Sequence, residues 1–293
     1  LTIRSDKYTD LDEGYAYNRL TSFIENSSKD LGKALKKHAK KHKANRGIIM
    51  DLRRNPGGLL DQAVQISDMF LEKGVIVSTI GREKKGKEVI HAKKGGTYAN
   101  FPIIVLIDEY SASASEILAG ALRDNKRALI MGQRSFGKGS VQSLVKLGDG
   151  SGLKLTVARY YTPSGVSIQA EGITPDIAID DLDSKVLGKA IIKRKVRREG
   201  DIKGHLLSEK EKEKKKKERS PSSKNSLSPL NFWWRNAKSD SVKNKTPKQS
   251  LLTQYFLVLQ AYNYLKAWDV MKNFGSEVHR AKASVEPPKT ITK

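Results

Sequence analysis

The sequence predicts an α/β fold organised on a parallel sheet, and three observations carry that prediction. Short continuous apolar runs at 47–52, 103–107 and 128–131 read as strands buried on both faces. Helical patterns at about 59–71 and 113–124 separate those runs. Strands that alternate with helices in this way imply parallel βαβ units.

Taken in order, residues 14–20 alternate as a strand does. Ser27 or Ser28 is placed to cap a helix reaching about Lys41, with Leu31, Ala34 and Leu35 on one face. The run 47–52 ends in a breaker cluster, Arg53-Arg54-Asn55-Pro56-Gly57-Gly58, before the second helix. Residues 75–80 and 88–92 read as strands around the loop 81–87. After Gln142 the pattern changes. Residues 143–147 and 153–161 flank Gly148-Asp149-Gly150-Ser151-Gly152, the signature of a hairpin. Tyr161-Thr162-Pro163-Ser164-Gly165 is a further turn, and 177–179 a short strand.

The chain divides into a core, 1–182, a basic segment, 183–250, and a C-terminal helix and tail, 251–293. Formal net charge is +23, and residues 181–293 hold 27 Lys and Arg against 12 Asp and Glu. A Lys/Glu run just after Ser208, then Ser, Pro and Asn, is the composition of a solvated linker, with Phe232-Trp233-Trp234 an apolar island in it. Ser250 is placed to cap a last helix, 251–274. Its apolar residues are too many for one stripe, so packing on more than one neighbour is expected. No apolar run reaches the roughly 18 residues of a spanning helix. The absence of cysteine excludes disulfides, thiolate zinc sites and cysteine nucleophiles. The chain starts at Leu1 rather than Met, so lost upstream sequence is expected.

Two motifs read against the chemistry they suggest. Residues 132–139 are G-x-x-x-x-G-K-G, but a phosphate loop needs Ser or Thr directly after the lysine and a helix beyond it. Here Gly139 follows Lys138, and 140–145 reads as a strand. His38 and His42 have the spacing of two helical zinc ligands. Ala39 stands where a metalloprotease carries its glutamate, and Lys40, Lys41 and Lys43 crowd the pair, so an exposed basic helix is expected.

The serine cluster Ser111-Ala112-Ser113-Ala114-Ser115 opens a helix after a buried strand. Such serines serve as helix caps. Equally, a serine there is held at the carboxyl edge of a sheet, where free N–H groups and the positive helix end stabilise a developing oxyanion. A nucleophilic serine needs a base. The five histidines, His38, His42, His91, His205 and His279, fall in basic, turn or tail segments. A lysine serves if neutral, which burial promotes. Lys138 lies between Gly137 and Gly139 after Phe136, and the Gln142 amide can bond an amine without adding negative charge.

These residues place the chain beside a known family. It resembles the carboxy-terminal processing (tail-specific) serine peptidases in four ordered motifs: Asp51-Leu52-Arg53-x-Asn55-Pro56-Gly57-Gly58, Ser111 to Ile117, Phe136-Gly137-Lys138-Gly139-x-Val141-Gln142, and Tyr161-Thr162-Pro163-x-Gly165 with Gly172-Ile173-x-Pro175-Asp176. The resemblance spans about residues 10–182. It implies a Clp-protease/crotonase-like α/β core with a β-rich cap or strand layer. It also implies Ser113 as nucleophile, Lys138 as general base, Gln142 orienting that base, backbone N–H groups of Gly58 (or Gly57) and Ala114 as oxyanion hole, and a supporting, structural role for Asp124. It implies no cofactor or catalytic metal, and an extracytoplasmic location in the periplasm or cell envelope. Expected partners are unfolded or C-terminally exposed protein substrates, an upstream PDZ domain in the full-length protein, and a second copy of the chain. The chain departs from the pattern at Ser135, where Thr is commoner, at Arg54, and in its long basic segment. That segment also suits an anionic partner such as a membrane surface. Two alternatives remain: a basic scaffold or nucleic-acid binder acting through 210–248, and a catalytically silent core.

Overall fold

The computed structural model describes residues 5–42, 45–81, 86–93, 98, 101–180 and 246–283. The expected linker, including Phe232-Trp233-Trp234, falls almost wholly outside the described residues.

The first sheet collects six strands in the order β1-β2-β3-β6-β7-β10: β1 (Asp6–Asp10), β2 (Tyr15–Leu20), β3 (Gly47–Asp51), β6 (Ile103–Ile107), β7 (Leu129–Gly132) and β10 (Ile177–Ala178). β1 is antiparallel to β2, and every other neighbouring pair is parallel. Helix α1 (Ser27–Lys41) joins β2 to β3, and α3 (Ala114–Asp124) joins β6 to β7. The apolar runs of β3 and β6 are buried at every residue because both faces of the sheet are covered. Ile48 and Met50 face one core, shared with α1, α2 (Leu60–Phe70) and α3. Ile49, Ile104, Leu106 and Met131 face a second core.

That second core is closed by the C-terminal segment. Helix α4 (Pro247–Gln254) is capped by Thr246 and Gln249 in a reciprocal box, with Pro247 in its first turn. The chain breaks at Tyr255, and α5 (Phe256–Ala283) lays Leu257, Val258, Ala261, Tyr262 and Leu265 on the sheet. Burying a Leu or Val side chain contributes about 1.5–3 kcal/mol, so this stripe is a substantial part of the core. The sequence reading, one helix over 251–274, differs in three respects, the first being this break at Tyr255. The cap is Thr246 rather than Ser250. One stripe is buried, while Tyr264, Trp268, Val270 and Met271 stay exposed.

A second sheet is antiparallel, in the order β5-β4-β9-β8, with β4 (Val75–Gly81), β5 (Lys87–His91), β8 (Ser140–Lys146) and β9 (Gly152–Tyr161). The β8–β9 hairpin exposes Val145, Leu153, Leu155 and Val157. Two further readings are corrected. α1 starts after Asn26, so Ser27 lies in its first turn, where its hydroxyl accepts the Ile24 N–H at 2.9 Å. His38 is buried rather than on an exposed face, because its side of α1 packs against β1 and β2.

Candidate active site

Three loops leave the carboxyl ends of three adjacent parallel strands: Leu52 to Leu59 after β3, Asp108 to Ser113 after β6, and Gln133 to Gly139 after β7. This edge of an open parallel sheet is where ligands bind. Each loop carries one of the predicted groups.

The serine cluster separates into three roles. Ser111 and Ser115 are fully buried. The Ser111 hydroxyl donates to the Leu52 carbonyl at 2.9 Å, and the Ser115 hydroxyl to the Asn55 carbonyl at 2.9 Å. Both staple the serine turn to the β3 loop. Ser113 alone is partly open. It is the N-cap residue of α3, with φ 55° and ψ −114°, and it pairs with Glu116 in a capping box, in which the Glu116 carboxylate accepts the Ser113 N–H. A non-glycine residue in this region costs on the order of 1–3 kcal/mol and persists only where its surroundings enforce it. Sharp turns of this kind lift a serine oxygen clear of the sheet. The flanking residues are alanines, which leave the turn uncrowded.

The β3 loop supplies the second group. Gly57 (φ 96°) and Gly58 (φ 145°) both adopt backbone that disfavours side chains. A Cβ on Gly57 would sit 2.9 Å from both Ala114 N and Ser113 Cβ, so the bare backbone is what allows the loops to touch. Buried Asn55 holds this loop: its amide donates to the Leu20 carbonyl at 2.8 Å and its carbonyl oxygen accepts the Gly57 N–H at 2.9 Å. Of the two glycine donors, Gly57 is therefore engaged. Among the described residues no acceptor meets the N–H of Gly58 or Ala114.

Glu116 joins the Ser113 turn to the lysine's loop. Its carboxylate is fully buried and accepts four hydrogen bonds. One oxygen takes the Ser135 hydroxyl at 2.6 Å and the Gly137 N–H at 2.6 Å. The other takes the Ser113 N–H at 2.7 Å and the Lys138 N–H at 2.9 Å. The backbone nitrogens of Ser113 and Lys138 thus lie no further apart than the sum of those two distances. Sequence reasoning missed Glu116, although Ser-x-x-Glu at a helix start is a readable capping-box signal. Ser135 completes the clamp by accepting the Ile173 N–H at 2.6 Å, so a serine hydroxyl fills both hydrogen-bonding roles.

The lysine side is open. Gly137 and Gly139 pack closely on residues 168–172, where a Cβ on Gly139 would meet Gln169 N at 2.4 Å. Yet Lys138 and Phe136 are exposed, and so is Gln142. Among the described residues no hydrogen bond joins Lys138 to Ser113 or to Gln142. Phe136 does not enclose the lysine, because 65% of its surface is exposed to solvent. The register irregularity between Val141 and Gln142 bends β8 just beyond the loop.

Two carboxylates, one partly buried and one fully buried, support the site from behind. Asp124 ends α3 and accepts the Ser164 N–H at 3.0 Å and the Ser164 hydroxyl at 2.7 Å, which pins the turn 161–165. Burial alone would raise its pKa, but the hydrogen bonds from Ser164, Thr162 and Arg123 outweigh it and hold the pKa low. Asp51 is buried beneath the β3 loop. Burial opposes its charge, while the Arg53 guanidinium and the Tyr17 hydroxyl (2.7 Å) overcome that and keep its pKa depressed.

A helix-covered parallel sheet with a serine elbow, free N–H donors and a glycine-flanked lysine defines an α/β peptidase core. The chain belongs to peptidase family S41, whose model matches residues 14–179. It is 46% identical over 213 residues to the carboxy-terminal-processing protease of Bartonella bacilliformis, covering 72% of this chain and 49% of that protein. It is 41% identical over 168 residues to the carboxyl-terminal-processing protease of Synechocystis, covering 57% and 38%. Among solved structures, it is similar to a photosystem II D1 C-terminal processing protease, with a TM-score of 0.56, 35% identity, and 61% of this chain and 49% of that chain covered. The chain therefore spans about half or less of the length of these relatives. No helix among the described residues is long and apolar enough to cross a membrane.

Proposed function

We propose that this chain carries the catalytic core of a serine endopeptidase that cleaves unstructured proteins near their C-termini. The observation that carries the reading is the shared Glu116 clamp, which holds the backbone N–H groups of Ser113 and Lys138 on one carboxylate oxygen at the carboxyl edge of the sheet. Neutral Lys138 takes the proton from Ser113 as its oxygen attacks a peptide carbonyl. The tetrahedral oxyanion rests on the N–H groups of Gly58 and Ala114. Lys138, now charged, protonates the leaving amine, and water then releases the acyl-enzyme by the reverse proton path. Gln142 orients the amine, and Asp124 and Glu116 act as positioning residues.

An amine is an effective base only when neutral, and the lysine side is open to solvent. The bound substrate strand, together with a PDZ domain upstream in the full-length protein, supplies the cover that excludes water. Catalytic hydrogen bonds that are loose in a free enzyme tighten in its substrate complex. The carboxy-terminal processing named for its relatives supports C-terminal substrates, and an extracytoplasmic setting and a core without a cofactor are part of the proposal. The basic segment suits an anionic surface, and a homo-oligomer is compatible with the exposed face of α5. The test is incubation of wild type and Ser113→Ala with an unfolded protein, reading cut sites by mass. Cleavage near C-termini by the wild type alone is expected, and equal cleavage by Ser113→Ala removes the assignment.

A further inference from the structure

We propose that Asp10, His38 and His42 form a binding site for a divalent transition-metal ion of the zinc class, at the end of the main sheet opposite Ser113. Asp10 closes β1, His38 lies in the last turn of α1, and His42 follows that helix. The four-residue spacing puts both imidazoles on one face, with ring centroids 4.6 Å apart. One ligand atom from each of the three residues lies within 4.8 Å of the others. His42 Nε2 is 3.0 Å from Asp10 Oδ1 and 2.9 Å from Oδ2.

The surroundings orient these groups. His38 Nε2 lies 3.1 Å from the Gly14 carbonyl, which only accepts, so that nitrogen carries the proton. The Nδ1 lone pair then takes the Tyr8 hydroxyl at 2.8 Å. An imidazole whose far N–H is held by a backbone carbonyl is the usual arrangement behind a metal-bound histidine. Two imidazoles and a carboxylate, with no thiolate in the chain, suit zinc and leave a fourth position for water or the Tyr8 oxygen. Zinc bonds of about 2.0–2.1 Å place tetrahedral ligands roughly 3.3 Å apart, so the site must contract by about 1.5 Å. His42, beyond the last helical residue with an extended backbone, is the part free to move.

The lysines remain the opposing force. Lys41 Nζ sits 2.6 Å from Asp10 Oδ2, where a metal would bind. Its side chain is 62% exposed and can swing into water, whereas His38 cannot. The negative end of the α1 dipole lies at the same place and favours a cation. An ion bound here would clamp the end of α1 to β1, remote from the peptidase chemistry.

Metal competition with Lys41 gives the test. Metal-free full chain is titrated with Co2+ by visible absorption and with Zn2+ by calorimetry, and thermal unfolding is followed with and without Zn2+. One Co2+ per chain with the bands of a four-coordinate site is expected, displaced by Zn2+, with Tm raised by Zn2+. His42→Ala should lower affinity about 100-fold or more, and Lys41→Ala should raise it several-fold. If circular dichroism shows that His42→Ala does not fold, Asp10→Asn and His42→Gln serve in its place. Absence of saturable Co2+ binding, or wild-type affinity in a folded ligand variant, overturns the proposal.

Discussion

The two halves of the site are built differently. On the serine side, Ser111, Ser115, Asn55 and Glu116 are buried, and their hydrogen bonds join the β3 loop, the serine turn and the lysine loop. On the lysine side, only the backbone is held. Lys138, Gln142 and Phe136 reach solvent at the start of a hairpin whose apolar residues are also exposed. On the proposed roles, the difference teaches that the fold preorganises the nucleophile and oxyanion donors, while the base waits for a cover. Electrostatic preorganisation is usually the largest contribution to catalysis, and it is the part this core builds alone.

The comparison breaks most visibly if either half is removed. Ser113→Ala and Lys138→Ala are each expected to lower kcat/KM by about 10³-fold or more with circular dichroism and Tm little changed. Cutting the link between the halves comes next. Glu116→Gln places an amide N–H against backbone N–H donors, so a loss of about 2–4 kcal/mol in stability is expected from denaturant unfolding. Cleavage kinetics should show kcat down about 10²-fold with KM little altered; a KM effect alone would mean that Glu116 does not align the two halves. Asp124→Ala frees the Ser164 turn, and about 1–2 kcal/mol and a roughly tenfold rate loss are expected, checked by the same two measurements. Gln142→Ala, on the open side, should cost only a few-fold in rate unless the cover is present.

Two carboxyls set opposite pH trends. Asp51 has its pKa depressed in the folded chain, so its contribution is present above the ordinary carboxylate pKa near 4 and is lost as pH falls below it. Asp6 is raised by burial to about 6, against which the Asn18 hydrogen bond acts. Its contribution is present below about 4 and is lost as pH rises through 6. Asp6→Asn should therefore stabilise the fold at pH 7, by about 1 kcal/mol once solvent screening is allowed for, with no gain in acid.

Much of the fold was legible because β3 and β6 are buried on both faces and so read as unbroken apolar runs. β1 was not legible: Asp-Lys-Tyr-Thr-Asp is a polar edge strand without an apolar face. The break at Tyr255 and the single buried stripe of α5 depend on the sheet beneath them, which local sequence does not encode. At the site, the family resemblance pointed to Ser113, Gly58 (or Gly57) and Lys138, and the fold sets their loops on adjacent strands. The fourfold use of Glu116 was hidden because three of its partners lie about twenty residues away. The exposure of Lys138 was hidden because it depends on what covers the β8 edge.

The most direct measurement compares wild type, Ser113→Ala and Lys138→Ala on one unfolded protein substrate, with products identified by mass and folding checked by circular dichroism. Cleavage near the C-terminus by the wild type, absent from both folded variants, is the predicted result. Undiminished cleavage by either variant would contradict the Ser113/Lys138 assignment.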